Sequence, residues 1–253
     1  MKVTFLGTGT SQGVPLIACR CKVCTSTDLH DKRLRTSVMV EVHGKVIVID
    51  SGPDFRQQML REEVTRLDAL IFTHAHKDHI AGMDDIRAFN YITNSEIDVY
   101  ADKIVQEAIH REFPYIIAAE KYTGVPEINL HLIEREKFMA AQIEITPIDV
   151  LHYKLPVKGF RIGDFTYITD ANFISEEEKN KIKGSKVLVL NALRKEAHIS
   201  HFSFYEAIAL AEELGAENTY FTHISHQLGL HKEINEILPK GIHLAYDGLV
   251  LEI

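Results

Sequence analysis

Short runs of β-branched and aliphatic residues, separated by turn residues, recur along most of the chain. Runs of roughly four to eight such residues are typical of buried strands. His43-Gly44 indicates a hairpin between the first two runs, and Asp247-Gly248 indicates a tight turn inside the last one. The predicted strands are 37–43, 45–50, 68–73, 142–150, 157–162, 164–169, 186–190, 218–222 and 242–252.

Helical segments with recognisable start signals lie between these strands. A Ser followed three residues later by a Glu is typical of a helix N-terminus, because each side chain can bond the backbone of the other. Strands interleaved with helices indicate sheets that are covered by helices. Residues 113–135 fit neither pattern and are predicted to be irregular. The predicted helices are 102–112 starting at Asp102, 175–183 with Ser175 and Glu178, and 203–214 with Ser203 and Glu206.

The composition is that of an ordinary globular protein. The chain has 253 residues, of which 45% are apolar, so we expect one sizeable core and a single domain over residues 1–253. The 28 basic and 36 acidic residues leave a formal net charge of -8. That charge disfavours a nucleic-acid polymer as partner, since such a partner needs a basic surface. A small anionic substrate held by metal ions is compatible with it.

The chain shows no pattern typical of export or membrane insertion. Its first apolar run, in MKVTFLGTGT, ends at Gly7 and is too short for a signal peptide. No apolar stretch reaches the roughly 20 residues that span a bilayer. We therefore expect a cytoplasmic protein without a membrane partner.

The strongest chemical signal is LIFTHAHKDHIAG at 70–82. An apolar strand runs directly into three imidazoles and a carboxylate, contributed by His74, His76, Asp78 and His79. Histidine and carboxylate are common metal ligands, and residues 74 and 76 would point to the same side of an extended chain. A solvated polar loop would explain any one of these histidines, but not the whole string.

Further candidate ligands follow other predicted strands. His152, Asp170 and His223 each come just after a β-branched run, where a sheet would deliver them to a common edge. We expect two divalent ions there, roughly 3.5–4 Å apart. The proposed ligand sets are His74, His76 and His152 for one ion, Asp78, His79 and His223 for the other, and Asp170 as the bridge.

These segments together resemble the metallo-β-lactamase superfamily over nearly the whole chain. The resemblance implies an α/β fold, a four-layer αββα sandwich with the metal site at the edge of the two sheets. The N-terminal segment and the Asp-containing second metal site are similar to the phosphodiesterase branch, above all to enzymes that open 5-phosphoribosyl 1,2-cyclic phosphate in phosphonate degradation. The matching segments are GTGTSQGVP at 7–15, Asp50 in VIVIDSG, THAHKDH at 73–79, His152, Asp170 and His223.

The resemblance also implies a mechanism and further site residues. Two ions that share a hydroxide, oriented by Asp78 and Asp170, would attack the phosphorus of a small cyclic phosphodiester or cyclic nucleotide. His201, in NALRKEAHISHFSFYEA, matches the position of a general-acid histidine that protonates the leaving oxygen. Asp50 matches a residue that bonds a metal ligand or its loop.

Three residues near His201 are candidates for substrate binding. Arg194 and Asn191 follow the strand KVLVLN, and His198 lies three residues before His201. A guanidinium fork suits phosphate, although surface arginines and histidines are common.

All three cysteines lie in CRCKVC, at positions 19, 21 and 24. Clustered cysteines in a reducing compartment indicate a metal more often than a disulfide, yet three thiolates alone are an incomplete zinc site. The resemblance supplies the fourth ligand, His226, three residues after His223. Cys19, Cys21, Cys24 and His226 would then hold a closed, structural zinc; free thiols in a loop are the alternative.

Other functions fit parts of this pattern. A tRNA 3′-processing-type RNA endonuclease shares the resemblance, but we find no Gly- and basic-rich arm. A secreted lactam hydrolase would need an export signal, and a thioester hydrolase would give no reason for His201. A site with open coordination positions and a proton donor argues against a metal-binding protein without catalysis. Mn²⁺, Zn²⁺ and Fe²⁺ all accept the active-site ligands, so the sequence does not select the metal. The resemblance also implies a homodimer.

Overall fold

The computed structural model describes residues 1–118 and 123–253. The strands of its N-terminal half are β1 (Lys2–Gly7), β2 (Ser37–Val42), β3 (Lys45–Ile49), β4 (Ala69–Ile71), β5 (Ile97–Ala101) and β6 (Ile128–Leu132). The helices of this half are α1 (Phe55–Arg61), α2 (Lys77–Ile80), α3 (Arg87–Thr93), α4 (Lys103–Glu112) and α5 (Pro114–Ile117).

The C-terminal half repeats the mixture of strands and helices. Its strands are β7 (Phe138–Ala140), β8 (Ile143–His152), β9 (Leu155–Ile162), β10 (Phe165–Tyr167), β11 (Phe173–Ile174), β12 (Val187–Asn191), β13 (Asn218–Thr222), β14 (Ile242–Leu244) and β15 (Val250–Glu252). Its helices are α6 (Glu176–Ile182), α7 (Phe204–Leu214) and α8 (His231–Ile237).

The strands form two mixed sheets. The first runs in the order β15-β1-β2-β3-β4-β5-β6, and the second in the order β11-β8-β9-β10-β12-β13-β14, with β7 paired to β8. Strands β3 to β6 are parallel to one another, and so are β10, β12, β13 and β14. Within each sheet, the carboxyl ends of these parallel strands meet at one edge, where ligand sites of α/β proteins usually lie.

The two sheets pack face to face, and helices cover their outer faces. In β3, Ile47 and Ile49 are buried in the core between the sheets, whereas Val48 faces the core beneath α1, α3 and α4. In β12, Val189 lies between the sheets, while Leu190 packs on the side of α7. Such strands are apolar on both faces, which explains why they read as continuous hydrophobic runs. The predicted αββα sandwich is confirmed.

The predicted helix starts agree with the structure. Asp102 accepts a hydrogen bond from Val105 N, and Ser203 and Glu206 form a complete capping box at the start of α7. Ser175 caps α6, but the Glu178 carboxylate accepts from Asp149 N instead of the Ser175 backbone.

Three predictions for strands or loops differ from the structure. The run 242–252 is two strands in different sheets, β14 and β15, because the chain crosses between the sheets at the Asp247-Gly248 turn. Strands β1, β5, β7 and β11 were not predicted. The segment 113–135, predicted to be irregular, contains α5 and β6; its residues 119–122 lie outside the described part. Among the described residues, no helix has the length and apolar character needed to cross a membrane.

Candidate active site

The strand ends of both sheets carry chemically active side chains to one cleft. His74 and His76 follow β4, and His152 is the last residue of β8. Asp170 follows β10 by three residues, and His223 directly follows β13. The structure therefore brings together the side chains that the sequence placed after separate strands.

Three residues of the cleft adopt left-handed backbone conformations. The φ angles are 67° at Asp50, 50° at Asp170 and 55° at His223. Residues other than glycine rarely adopt this region, although Asp, Asn and His do so more readily than most. At Asp50 and His223 the backbone turns directly after the strand, and at Asp170 it turns three residues after β10.

One group of ligand atoms consists of Asp78, His79, Asp170 and His223, whose candidate atoms all lie within 4.8 Å of one another. His79 Nε2 is 3.1 Å from Asp78 Oδ2 and 3.4 Å from Asp170 Oδ1. His223 Nε2 is 3.2 Å from Asp170 Oδ2. This is the second ligand set predicted from the sequence, with Asp170 added to it.

The other group lies beside it and shares Asp170. The candidate ligand atoms of this group, from His74, His76 and Asp170, also lie within 4.8 Å of one another. His74 Nε2 is 3.8 Å from Asp170 Oδ2. The His152 ring is 5.2 Å from the His76 ring and 5.9 Å from the His74 ring, measured between centroids. Because its two oxygens face both groups, Asp170 has the geometry of a bridging ligand.

Hydrogen bonds fix the tautomers of three of these histidines. The Thr73 hydroxyl donates to Asp50 Oδ2 at 2.8 Å, so it can only accept from His74 Nδ1, 3.0 Å away. Asp50 Oδ2 also accepts from His79 Nδ1 at 2.6 Å, and Ser200 O accepts from His152 Nδ1 at 2.7 Å. In each ring Nδ1 therefore carries a hydrogen, and Nε2 is the atom that can bind a metal; in His74, Nε2 also lies 3.0 Å from His76 Nδ1.

The sequence did not identify Thr73 as a site residue, although it stands inside the motif THAHKDH. Its backbone N–H also donates to Asp50 Oδ1 at 2.8 Å, so Asp50 bonds both a ligand and the segment that carries the ligands. Gly52 is required next to it, because a Cβ at that position would overlap the carbonyl oxygen of Asp78.

Divalent metal ions fit this donor set. The Nε2 atoms of His79 and His223 are buried and have no hydrogen-bond partner, which is costly in a protein without a metal. Burial disfavours charge on His79, but Asp78, Asp50 and Asp170 outweigh it and hold the pKa of His79 well above its usual value. Burial would raise the pKa of Asp170, yet His223 and His79 keep it well below its usual range. The cleft thus favours positive charge.

His201 lies against the ligands, in the loop before α7. Its ring centroid is 4.5 Å from that of His152 and 4.7 Å from that of His223, and its Nδ1 is buried without a partner. Burial, together with the neighbouring His223, lowers the pKa of His201 to about 2, so the ring is neutral in the free protein. The candidate ligand atoms of His201, His152 and Asp170 also lie within 4.8 Å of one another. A role of His201 as a metal ligand is therefore the competing interpretation.

The three predicted substrate-binding residues have different surroundings. The His198 ring is 5.2 Å from the His201 ring, and Arg194 lies in the same loop with its guanidinium bonded to Gln227 Oε1 and Ala197 O. Asn191 is fully buried, and its amide exchanges two hydrogen bonds with the backbone of Ala171. A side chain engaged in this way has no group left for a substrate, so its placement argues against the binding role predicted for Asn191.

A separate group forms where the N-terminal loop meets the segment after β13. The candidate ligand atoms of Cys19, Cys21, Cys24 and His226 lie within 4.8 Å of one another. His226 Nδ1 is 3.5 Å from Cys19 Sγ and 3.3 Å from Cys21 Sγ. Tetrahedral zinc with ordinary Zn–S and Zn–N bonds places such atoms about 3.6 Å apart, so the four side chains fit a closed zinc site.

Comparisons with known proteins identify relatives of the whole chain. A family model described as "Beta-lactamase superfamily domain" matches residues 45–224. The crystal structure of a diphosphatase from the PhnP family is 41% identical, with a TM-score of 0.93, over 100% of this chain and 97% of that one. Human tRNase Z, short form, is 18% identical with a TM-score of 0.75, over 100% and 99% of the two chains, a likeness of fold.

A protein of Porphyromonas gingivalis named octanoyltransferase is 39% identical over 252 residues. That match covers 98% of this chain but 51% of the relative, so the chain spans about half the length of that protein.

Proposed function

The chain belongs to the beta-lactamase superfamily, and we propose that it is a metal-dependent phosphodiester hydrolase whose substrate is a small cyclic phosphodiester. Candidate substrates are 5-phosphoribosyl 1,2-cyclic phosphate and cyclic nucleotides. The observation that carries the proposal is His201, a buried imidazole with an unpartnered Nδ1, placed against the ligands His152 and His223.

Two divalent ions, when bound, would activate water as the nucleophile and neutralise the phosphoryl oxygens. One ion would be held by His74, His76 and His152, and the other by Asp78, His79 and His223. Asp170 would bind both ions. The hydrogen bonds to Nδ1 of His74, His79 and His152 keep these rings in the orientation that ligation requires. The ionised carboxylates of Asp78 and Asp170 orient the attacking water.

His201 supplies the proton for the leaving group. The attacking water first loses a proton to solvent, the new P–O bond forms to the resulting hydroxide oxygen, the P–O bond to the ribose breaks, and the proton of the imidazolium passes to the departing alkoxide. An alkoxide leaves slowly without protonation, and a positioned general acid contributes about 10²–10⁴-fold to the rate. The negative charge of a bound phosphodiester favours the protonated form of His201 and so opposes the effect of burial.

The charge of the protein supports a small substrate. A formal net charge of -8 disfavours the broad basic surface that a polynucleotide needs. Arg194 and His198 lie in the His201 loop and would contact the phosphate or ribose of a compact ligand. The same charge disfavours an RNA endonuclease, the alternative suggested by the fold it shares with tRNase Z.

A second candidate is hydrolysis of a diphosphate diester. The similar structure from the PhnP family is described as a diphosphatase, so its reaction breaks a P–O–P bond. The leaving group would then be a phosphate, which departs without a general acid more readily than an alkoxide. Comparing 2′,3′-cyclic AMP with ADP-ribose as substrates distinguishes the two.

The test uses purified protein reconstituted with Mn²⁺ or Zn²⁺. Hydrolysis of bis(p-nitrophenyl) phosphate and 2′,3′-cyclic AMP should require the metal and cease on chelation. His201→Ala should lower turnover of the cyclic nucleotide by about 10²–10⁴-fold while two active-site ions remain bound. His110→Ala, on the exposed side of α4, is the matched control. Unchanged turnover in His201→Ala would contradict the proposal, and loss of an ion would favour the ligand role.

The group formed by Cys19, Cys21, Cys24 and His226 is proposed to hold one structural zinc. A closed Cys₃His site leaves no position for substrate. Because three cysteines so arranged suit a reducing compartment, a cytoplasmic location remains part of the proposal.

A further inference from the structure

The loop that carries His201 has firm ends and an exposed tip. Residues 192–203, all of them described, connect β12 to α7 without a regular helix or strand. At its base, Leu193 N donates to Phe202 O and Phe204 N donates to Arg194 O. At its tip, the side chain of Ile199 is 67% exposed and contributes little packing. The position of the tip therefore depends on its backbone hydrogen bonds.

Two adjacent carbonyl groups attach the tip to the rest of the site. Ser200 O accepts from Nδ1 of the predicted metal ligand His152 at 2.7 Å. Ile199 O accepts from Nδ2 of Asn172 at 3.1 Å. The first bond belongs to the metal-binding arrangement already described, whereas the second comes from a residue with no role so far.

Asn172 connects three parts of the active site. Its side-chain Oδ1 accepts from the backbone N of Tyr153, the residue after His152, at 2.6 Å. Its backbone N–H donates to Leu151 O at 2.8 Å. It also lies two residues after Asp170. Because Tyr153 N can only donate and Ile199 O can only accept, the orientation of the amide is determined. One side chain thus bridges the turn after β8 and the His201 loop.

We propose that Asn172 is a positioning residue that holds the His201 loop in register with the metal ligands. This inference rests on the general-acid role of His201 in the proposed function. Both of its side-chain hydrogen bonds lie near the surface, so water can replace them and the fold should tolerate their loss. Proton transfer is less tolerant, because a general acid must come within about 2.6–3.2 Å of the leaving oxygen. Displacement of a catalytic group by about 1 Å can cost about 10²-fold in rate.

The experiment compares two leaving groups in matched variants of the metal-loaded enzyme. Asn172→Ala removes both bonds, and Asn172→Asp keeps an acceptor for Tyr153 N but cannot donate to Ile199 O. Asn180→Ala, on the exposed face of α6, is the control, since the Asn180 amide oxygen accepts from the Lys183 ammonium at 3.2 Å. Bis(p-nitrophenyl) phosphate has a leaving group that needs little protonation, whereas 2′,3′-cyclic AMP releases a ribose alkoxide.

Both Asn172 variants should lose about 10–100-fold in kcat on 2′,3′-cyclic AMP and less than about 3-fold on bis(p-nitrophenyl) phosphate, with metal content unchanged. In a His201→Ala background, Asn172→Ala should have no further effect, because both changes remove the same proton transfer.

Four results would overturn the inference. Equal losses on both substrates, or additive losses in the double variant, would show a general structural role. Normal turnover in Asn172→Ala, with selective loss in His201→Ala, would reject the role of Asn172 alone. If His201→Ala itself showed no leaving-group selectivity, the general-acid function would fail together with the inference.

Discussion

Replacing Asp50 tests whether a buried carboxylate prepares the metal site. Asp50 is completely buried, and its two oxygens accept from Thr73 N, the Thr73 hydroxyl and His79 Nδ1 at 2.8, 2.8 and 2.6 Å. Because a carboxylate accepts and does not donate, it keeps a hydrogen of His79 on Nδ1 and directs Nε2 toward the metal site. We expect Asp50→Asn to weaken metal binding without touching a ligand.

The size of the effect follows from these three contacts. Loss of a hydrogen-bond partner of a ligand typically lowers metal affinity about 10–100-fold, which corresponds to about 1.4–2.8 kcal/mol. In Asp50→Asn the amide NH₂ must face one of the donors on Thr73 or His79, and a buried donor without an acceptor costs about 1–3 kcal/mol in folding free energy. Asp50→Ala leaves all three donors unpaired and should be less stable still.

Metal retention is measured by mass spectrometry of bound metal across a chelator titration, and the stability of the metal-free protein by urea unfolding. Asp98→Asn is the control, since Asp98 also bonds a histidine, at 2.8 Å from His131 Nε2, but with 40% of its side chain exposed. Asp98→Asn should retain its metals like the unmodified protein. If Asp50→Asn did the same, the reasoning about the His79 tautomer would be refuted.

Three further outcomes are expected. Burial, with Arg33 and His30 nearby, lowers the pKa of His231 to about 4. The unfolded chain therefore binds this proton first, and the free energy of unfolding should fall as the pH decreases from about 6.5 to about 4. Urea midpoints should depend less on pH in His231→Asn, and an unchanged pH dependence would argue against this role of His231. Cys21→Ser should lose one tightly bound zinc, measured by metal analysis, while its turnover stays close to that of the unmodified protein. Full zinc retention would count against the Cys₃His site. Ser203→Ala should reduce the free energy of unfolding by about 1 kcal/mol in urea titrations, because it breaks the capping box with Glu206, and Ser203→Thr should restore most of it.

The positions of the ligands could be predicted because parallel strands end at one sheet edge. A β-branched run followed by His or Asp gives both the element and the place where the side chain emerges, as at His223 after β13. The direction of a side chain beyond the strand end depends on contacts distant in sequence. Asn191 ends β12 in the same way, yet its amide turns to Ala171 and leaves the cleft.

Asn172 could not be identified from the sequence for a related reason. An asparagine in a short connection is adequately explained by turn propensity. Its significance comes from Tyr153 and Ile199, which lie 19 and 27 residues away. The division of residues 242–252 between two sheets was equally inaccessible, since hydrophobic periodicity does not show which neighbour a strand pairs with.

The left-handed backbone at Asp50, Asp170 and His223 sets stability against activity at this site. A residue with a Cβ in this conformation costs roughly 1–2 kcal/mol relative to a relaxed backbone, and glycine avoids most of that cost. Glycine substitutions at Asp170 and His223 would therefore relax the backbone while removing a ligand. At Asp50 the same change would leave three buried donors without an acceptor, which outweighs the gain. A search for thermostable variants that ignored activity would be drawn toward Asp170 and His223, so these two ligands persist only while metal binding is selected.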